Sequence, residues 1–230
     1  MKIHYLIPVI LALTLPACDE EYGTNPIEVT YDLIPFAHLQ LETSSDIRII
    51  QSNSFQVVVE GEERDVYDTD VDVLDDWLII REHGQIAPSQ RIYIYVPVLL
   101  DIESNGSSEV YGESQFQQNE NMTIRNSGSG RIDMYVDTDN LDLYVSGSGD
   151  IYLEGLADNT DLTLSGSGWV RAFNLGSDFS DVRVSGSGSA EVKVDTDLDV
   201  LISGSGDVFY KGHPQVSSQI TGSGHVINAN

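Results

Sequence analysis

The sequence predicts an all-β fold, a parallel β-helix, and three observations predict it. Ser-Gly-Ser-Gly begins at Ser127, Ser146, Ser165, Ser185 and Ser203, and Thr-Gly-Ser-Gly begins at Thr221. Successive copies lie 19, 19, 20, 18 and 18 residues apart, too regular for a flexible linker and too long for a collagen or heptad period. Around every copy apolar residues alternate with polar ones, which is the strand period. Each unit of about 19 residues is therefore expected to be one coil of a solenoid marked by a Ser-Gly-Ser-Gly turn.

The alternation also orients the turn. Val145, Leu164, Val184, Ile202 and Ile220 stand one residue before a copy, and Ile132, Ile151, Val170, Ala190, Val208 and Val226 resume the pattern after it. Carried through the tetrapeptide, this parity turns glycine inward and serine outward. The turn glycines so placed are Gly128, Gly130, Gly147, Gly149, Gly166, Gly168, Gly186, Gly188, Gly204, Gly206, Gly222 and Gly224. The expected reason is crowding at an inward corner, with positive φ as a further demand. The serines then form rows about 4.8 Å apart along the solenoid.

The first residues carry no strand pattern. Met1-Lys2, an apolar stretch from Ile3 to Leu15, and Leu15-Pro-Ala-Cys18 resemble a bacterial lipoprotein signal, residues 1–17, with Cys18 as the lipid-bearing residue. Residues 18–28 read as a tether; its Asp19-Glu-Glu21 resembles the export tag of surface-exposed lipoproteins. Residues 29–117 form a less regular N-terminal β section and cap. Its strand runs are Ile47–Ile50, Phe55–Glu60, Trp77–Arg81, Arg91–Val96 and Leu99–Ile102, and Asn105-Gly-Ser-Ser108 reads as a degenerate first copy of the turn. Residues 118–230 are the repeat solenoid.

Taken in order, Leu33-Ile-Pro-Phe36, Ile47-Arg-Ile-Ile-Gln51, Val57-Val-Val-Glu-Gly61, Trp77-Leu-Ile-Ile80, Arg91-Ile-Tyr-Ile-Tyr-Val-Pro97, Ile102-Glu-Ser-Asn-Gly-Ser107 and the train of Ser-Gly-Ser-Gly units resemble the autotransporter-adhesin head GIN domain family. The resemblance spans residues 30 to 227 and implies an exported, often lipid-anchored β-solenoid of a bacterial envelope. It brings no active-site residues with it.

Charge and motif searches narrow the function further. A net charge of −26, from 37 Asp plus Glu against 11 Lys plus Arg, argues against nucleic acid and against an anionic membrane surface. Contact with the membrane is expected through the lipid anchor only. The tetrapeptide lacks the spacing of a Gly-x-Ser-x-Gly nucleophile elbow, and no helix follows it to cradle phosphate. His38, His83, His213 and His225 are scattered, unlike metal ligands. Asp150 and Asp207, with Asp68-Thr-Asp-Val-Asp72, Asp137-Thr-Asp139 and Asp195-Thr-Asp197, suggest calcium, but an aspartate follows only two of the six tetrapeptides. No catalytic residue, cofactor or metal is expected. Tyr135, Tyr144, Tyr152, Trp169, Phe209 and Tyr210 offer aromatic surface for a glycan. The expected function is a non-catalytic, adhesin-like envelope lipoprotein of the outer membrane, surface-exposed, with an unknown protein or glycan partner. A self-assembling structural protein, hence a homo-oligomer, and a β-helical polysaccharide enzyme are the alternatives.

Overall fold

In a computed structural model, residues 26–117 and 121–230 are described; the signal segment, Cys18 and the tether up to Asn25 lie outside them. In chain order the elements are β1 (Pro26–Asp32), β2 (His38–Glu42), β3 (Asp46–Gln51), β4 (Gln56–Glu62), a one-turn helix α1 (Glu63–Tyr67), β5 (Thr69–Leu74), β6 (Trp77–Glu82) and β7 (Arg91–Val96). They continue with β8 (Asp101–Ser104), β9 (Glu109–Gln117), β10 (Asn121–Asn126), the long strands β11 (Arg131–Val145), β12 (Asp150–Leu164), β13 (Trp169–Val184) and β14 (Ser189–Ile202), and then β15 (Val208–Lys211), β16 (Gln215–Ile220) and β17 (Val226–Asn228).

The strands form the predicted parallel solenoid. Ile132 pairs with Ile151, Ile151 with Val170, Val170 with Ala190, Ala190 with Val208 and Val208 with Val226. The ladder register is thus the same 19, 19, 20, 18 and 18 as the tetrapeptide spacing. Each coil has two arms. One enters the Ser-Gly-Ser-Gly turn and the other leaves it, so the stacked arms make an entry face and an exit face. The long strands carry an exit arm into the next entry arm through a corner where two successive residues face outward: Asp139 and Asn140 in β11, Asp158 and Asn159 in β12. That pair shifts the parity, and inward alternation restarts at Leu141 and Thr160. Changes in repeat length are absorbed at bulges in β13, between Arg171 and Asn174 and between Ala172 and Gly176.

Inside, equivalent residues stack into apolar columns such as Leu39, Ile102, Ile124, Leu143, Leu162, Val182 and Val200, all buried. Full burial of each such side chain is worth about 1.5–3 kcal/mol, so a coil is held to its neighbours by side-chain columns as well as by the backbone ladder.

The N-terminal section joins the same stack without a break, because β8 pairs with β10 and β9 with β11. Its coils are stacked out of chain order. The β2–β3 coil lies between β6–β7 on one side and β8–β9 on the other. Beyond β6–β7 the ladder turns antiparallel, with β4 on β7, β1 on β4 and β5 on β6, and α1 packs against β1, β4 and β5. These elements close that end.

Candidate recognition surface

The twelve turn glycines form two columns along the solenoid. In each turn the serines, and Thr221 in the last, are exposed and the second glycine is buried, while the first glycine is half-exposed or exposed. None of the twelve has positive φ; core side chains crowd the second glycine from inside, Val145 Cγ1 lying 3.2 Å from a Cβ at Gly168 and Val184 Cγ1 3.0 Å from one at Gly206, but the tightest crowding is axial. A Cβ at Gly147, Gly166, Gly186 and Gly204 would stand 1.9–2.0 Å from the carbonyl oxygen of the equivalent glycine one coil earlier, and at Gly149, Gly168 and Gly188 2.0–2.1 Å. The turn itself carries the ladder: Ser148 N–H donates to Gly128 C=O at 3.1 Å and Ser167 N–H to Gly147 C=O at 3.0 Å. Glycine is needed because successive turns approach to hydrogen-bonding distance with nothing between them. Positive φ occurs elsewhere, for example at Gly155 (φ 119°), whose Cβ would lie 1.9 Å from Val136 C=O.

The column begins with a turn that lacks glycine. A Cβ at Gly106 would stand 1.9 Å from Thr43 C=O, so Thr43-Ser44-Ser45 precedes Asn105-Gly-Ser-Ser108 in the stack. No repeat turn lies beneath it, and Glu82 supplies the acceptors instead. Its carboxylate takes Thr43 Oγ1 at 2.6 Å, Ser44 N–H at 2.8 Å, Ser44 Oγ at 3.0 Å and Ser45 Oγ.

On the exit face outward residues meet both in register, as Arg48 with Tyr111 and Arg171 with Tyr152, and along a diagonal, as Arg131 with Tyr152. Arg48 lies over the Tyr111 ring at 4.1 Å and Arg131 over Tyr152 at 3.7 Å; Arg171 sits 4.9 Å from both Tyr152 and Trp169. Trp169 stacks on Phe209, with centroids 6.1 Å apart and planes at 15°. The stripe runs from β3 to β15 over seven stacked strands, of which β14 supplies none of these residues, about 29 Å at the usual strand spacing. Carboxylates hold its arginines in place: Arg171 donates to Asp150 at 2.8 Å and to Tyr152 Oη at 2.7 Å, Arg48 to Glu113 at 2.9 Å, and Arg131 to Asp133. Partly exposed cations flattened on rings give a surface of apolar faces rimmed by fixed donors.

The entry face has a different character. Register places Asp142, Asp161, Asp181 and Asp199 in one column, beside an open groove of about 300 Å³ that Asn140, Asn159, Phe179 and Asp197 also line. Burial and the neighbouring Asp161 push the Asp142 carboxyl above the usual range, and burial, Asp161 and Asp199 do the same to Asp181. Arg183 bridges Asp161 at 2.8 Å and Asp181 at 2.6 Å. An amide ladder follows the corner, Asn159 Nδ2 to Asn140 Oδ1 at 2.9 Å and Asn140 Nδ2 to Asn121 Oδ1 at 2.7 Å.

The remaining candidates separate. Asp150 accepts the Trp169 N–H at 2.9 Å and Asp207 the His225 N–H at 2.8 Å, so both act as coil-to-coil acceptors. His38 stacks on Trp77 and bonds Asp101 at 2.5 Å; His83 bonds Asp70 at 2.7 Å. Tyr144 lies on the entry face beneath Arg125, and Tyr210 packs against the core. Among the described residues, no group of three or more His, Cys, Asp or Glu is arranged to hold a metal, and no helix is long and apolar enough to cross a membrane. The sequence reading missed Arg48, Arg131, Arg171 and Glu82; an arginine one strand-step from an aromatic of the next repeat was the available signal for Arg131.

The chain is similar in fold to solved structures described as a "putative adhesin" from Bacteroides fragilis NCTC 9343 (TM-score 0.83, 24% identity, 90% of this chain and 98% of that chain) and a "putative lipid binding protein" from Parabacteroides distasonis ATCC 8503 (TM-score 0.73, 22% identity, 89% and 97%). A "putative adhesin" from Parabacteroides merdae ATCC 43184 is also similar (TM-score 0.66, 20% identity, 88% and 96%). At these identities the likeness concerns the fold, and function has to be argued from the surface. Comparison with curated proteins gives no match. Residues 35–214, well over half of the chain, match the family described as "Putative auto-transporter adhesin, head GIN domain", and the chain belongs to that family.

Proposed function

We propose that this protein is a non-catalytic adhesin of the bacterial outer surface, lipid-anchored at Cys18, that holds an extended protein or glycan partner along its exit face. The observation that carries this reading is the stripe of Arg48, Tyr111, Arg131, Tyr152, Arg171, Trp169 and Phe209. In a chain of net charge −26, it is a continuous run of aromatic rings and fixed cations on a rigid sheet, the chemistry that sugars and peptide segments dock against. Family membership supports the adhesin class. Solenoids recognise partners over extended faces, which fits a stripe better than a pocket.

The test is attachment of cells, and retention of components from glycan arrays and matrix extracts, by wild type, Trp169→Ala, Arg131→Ala and the entry-face variant Tyr144→Ala. Binding should fall about ten-fold or more for the two exit-face variants and stay near wild type for Tyr144→Ala. Equal binding by all four removes the exit-face assignment, and turnover of a polysaccharide by the purified protein favours the enzyme reading. Cys18→Ser should release the protein from the membrane fraction; a variant still extracted only by detergent removes the anchor.

A further inference from the structure

We propose that two copies of this chain pair tail to tail through the last coil, an isologous contact that joins two solenoids at the ends opposite their caps. The two ends of the stack are built differently. One is closed by β1, β4, β5 and α1, as described above. The other ends in β16, which pairs only with β14, and β17, which pairs only with β15, among the described residues. Every residue of β16 is exposed. By register, Val216 continues the column of Leu198 and Ile220 that of Ile202. Leu198 and Ile202 are fully buried, whereas Val216 and Ile220 are 41% and 43% exposed, so the apolar interior reaches solvent here.

The edge is also competent to pair. Thr221 N–H donates to Ile202 C=O, and the alternation of a strand then points the N–H groups of Val216, Ser218 and Ile220 away from the stack. The usual protections of such an edge are charged side chains, proline or a bulge. Pro214 precedes β16, and no Asp, Glu, Lys or Arg occurs in residues 212–230, although the whole chain has 37 acidic and 11 basic residues. A strongly anionic molecule thus leaves residues 212–230 without charged side chains, and the surface best matched to an apolar-cored edge of that kind is the same edge on a second copy.

Symmetry supports that occupant. A two-fold axis through Ser218 sets β16 antiparallel to its copy and places Val216 opposite Ile220 and Ile220 opposite Val216, so the apolar pair is complementary to itself. The contact closes on itself and stops at two chains, because the far end of each is capped. If the molecules are anchored near the capped end, a reading that rests on the proposed lipidation of Cys18, paired tails would join two opposed surfaces.

Sedimentation velocity of residues 19–230, which hold every described strand, should show a monomer–dimer equilibrium between roughly 1 and 100 µM, the range of weak specific contacts. Ser218→Lys sets two lysines face to face at the axis and should raise the dissociation constant about ten-fold or more. Leu74→Lys, at an exposed site of the capped end, should leave it unchanged. Circular dichroism melts of both variants confirm that each is folded. Amide exchange at Val216, Ser218 and Ile220 should slow as concentration rises. Beads coupled through the Cys18 thiol of residues 18–230 should cluster with wild type and stay dispersed with Ser218→Lys. A monomer across the range, open-ended oligomers, or equal effects of the two lysines would overturn the pairing; dimers in solution with clustering untouched by Ser218→Lys would overturn the bridging of surfaces.

Discussion

Replacing Gly166 by alanine adds a single methyl group to the middle of the glycine columns and should destabilise the solenoid more than any change to the serine beside it. The new Cβ would stand 1.9 Å from Gly147 C=O, 2.6 Å from Ser146 C=O and 2.8 Å from the Ser146 carbonyl carbon. Ordinary contact begins near 3.4 Å, so the two turns would have to part by about 1.5 Å, close to a third of the spacing between strands. All three obstacles are backbone atoms and cannot rotate away. Parting the turns stretches the bonds from Ser165 N–H to Val145 C=O at 2.8 Å and from Ser167 N–H to Gly147 C=O at 3.0 Å. At about 1 kcal/mol for each bond plus the strain of overpacking, the loss should be about 3 kcal/mol or more. Two glycines serve as internal controls. A Cβ at Gly176 meets only Leu156 Cδ2, at 3.2 Å, the far end of a side chain that can turn, so Gly176→Ala should cost under about 1 kcal/mol. Gly222 has a backbone clash at 1.8 Å, but its coil is the last and can lift, so Gly222→Ala should cost less than Gly166→Ala. Ser167→Ala, at an exposed hydroxyl, should cost under about 1 kcal/mol. Guanidinium titrations followed by circular dichroism, with slopes compared to confirm a common transition, measure all four. Gly166→Ala within about 1 kcal/mol of wild type, or no worse than Ser167→Ala, would refute the axial-contact argument.

Three other perturbations follow from particular contacts. Among the described residues, Thr160 and Ser180 bury hydroxyls with no partner beside a cavity of about 10 Å³ lined by Leu143, Leu162, Val170 and Leu175; Thr160→Val should therefore stabilise by about 1 kcal/mol, and a clear loss in the same titration would show that the hydroxyl is satisfied. Glu82→Ala strips the acceptors from Thr43, Ser44 and Ser45 and should cost about 2 kcal/mol, with faster amide exchange at Ser44; an unchanged midpoint counts against its capping role. Asp142, raised above the usual range by burial and Asp161, binds its proton more tightly folded than unfolded, so its ionisation opposes folding and that penalty fades as pH falls through the raised value. Asp142→Asn should raise the thermal midpoint at neutral pH and give progressively less gain toward acid; a gain independent of pH would remove the electrostatic explanation.

The repeat made the fold legible because a parallel ladder requires equivalent residues to lie above one another. Once Ile132, Ile151, Val170, Ala190, Val208 and Val226 are seen at tetrapeptide spacing, their register follows. The N-terminal order was hidden for a physical reason. β6–β7 passes beneath β2–β3 because antiparallel β4, β5 and β1 need an edge to pair with, and no local pattern records which edge a later strand will take. The Thr43–Ser45 turn escaped notice because it has no glycine, its acceptors coming from Glu82, 37 to 39 residues away in sequence. Tyr152, Trp169 and Phe209 were recognised as aromatic surface, yet the arginines that join them were not. Arg131 meets Tyr152 only when the coil-to-coil register is combined with a two-residue offset along the strand.

Parity says which face a residue occupies, but it says nothing of the distance to the coil next to it. That is why the glycines looked like inward corners from the sequence and prove to be contacts between turns. The distinction bears on function. When stability comes from contacts along the axis, at glycines and buried columns, the outward positions of each arm carry little of it, and their side chains can change from coil to coil without disturbing the stack. Position three of the exit arm illustrates this freedom, running through Asp133, Tyr152, Arg171, Glu191, Phe209 and Ile227 on one unbroken ladder. The arginine and aromatic residues of the stripe therefore owe little to the demands of folding, which suits the binding role proposed for them.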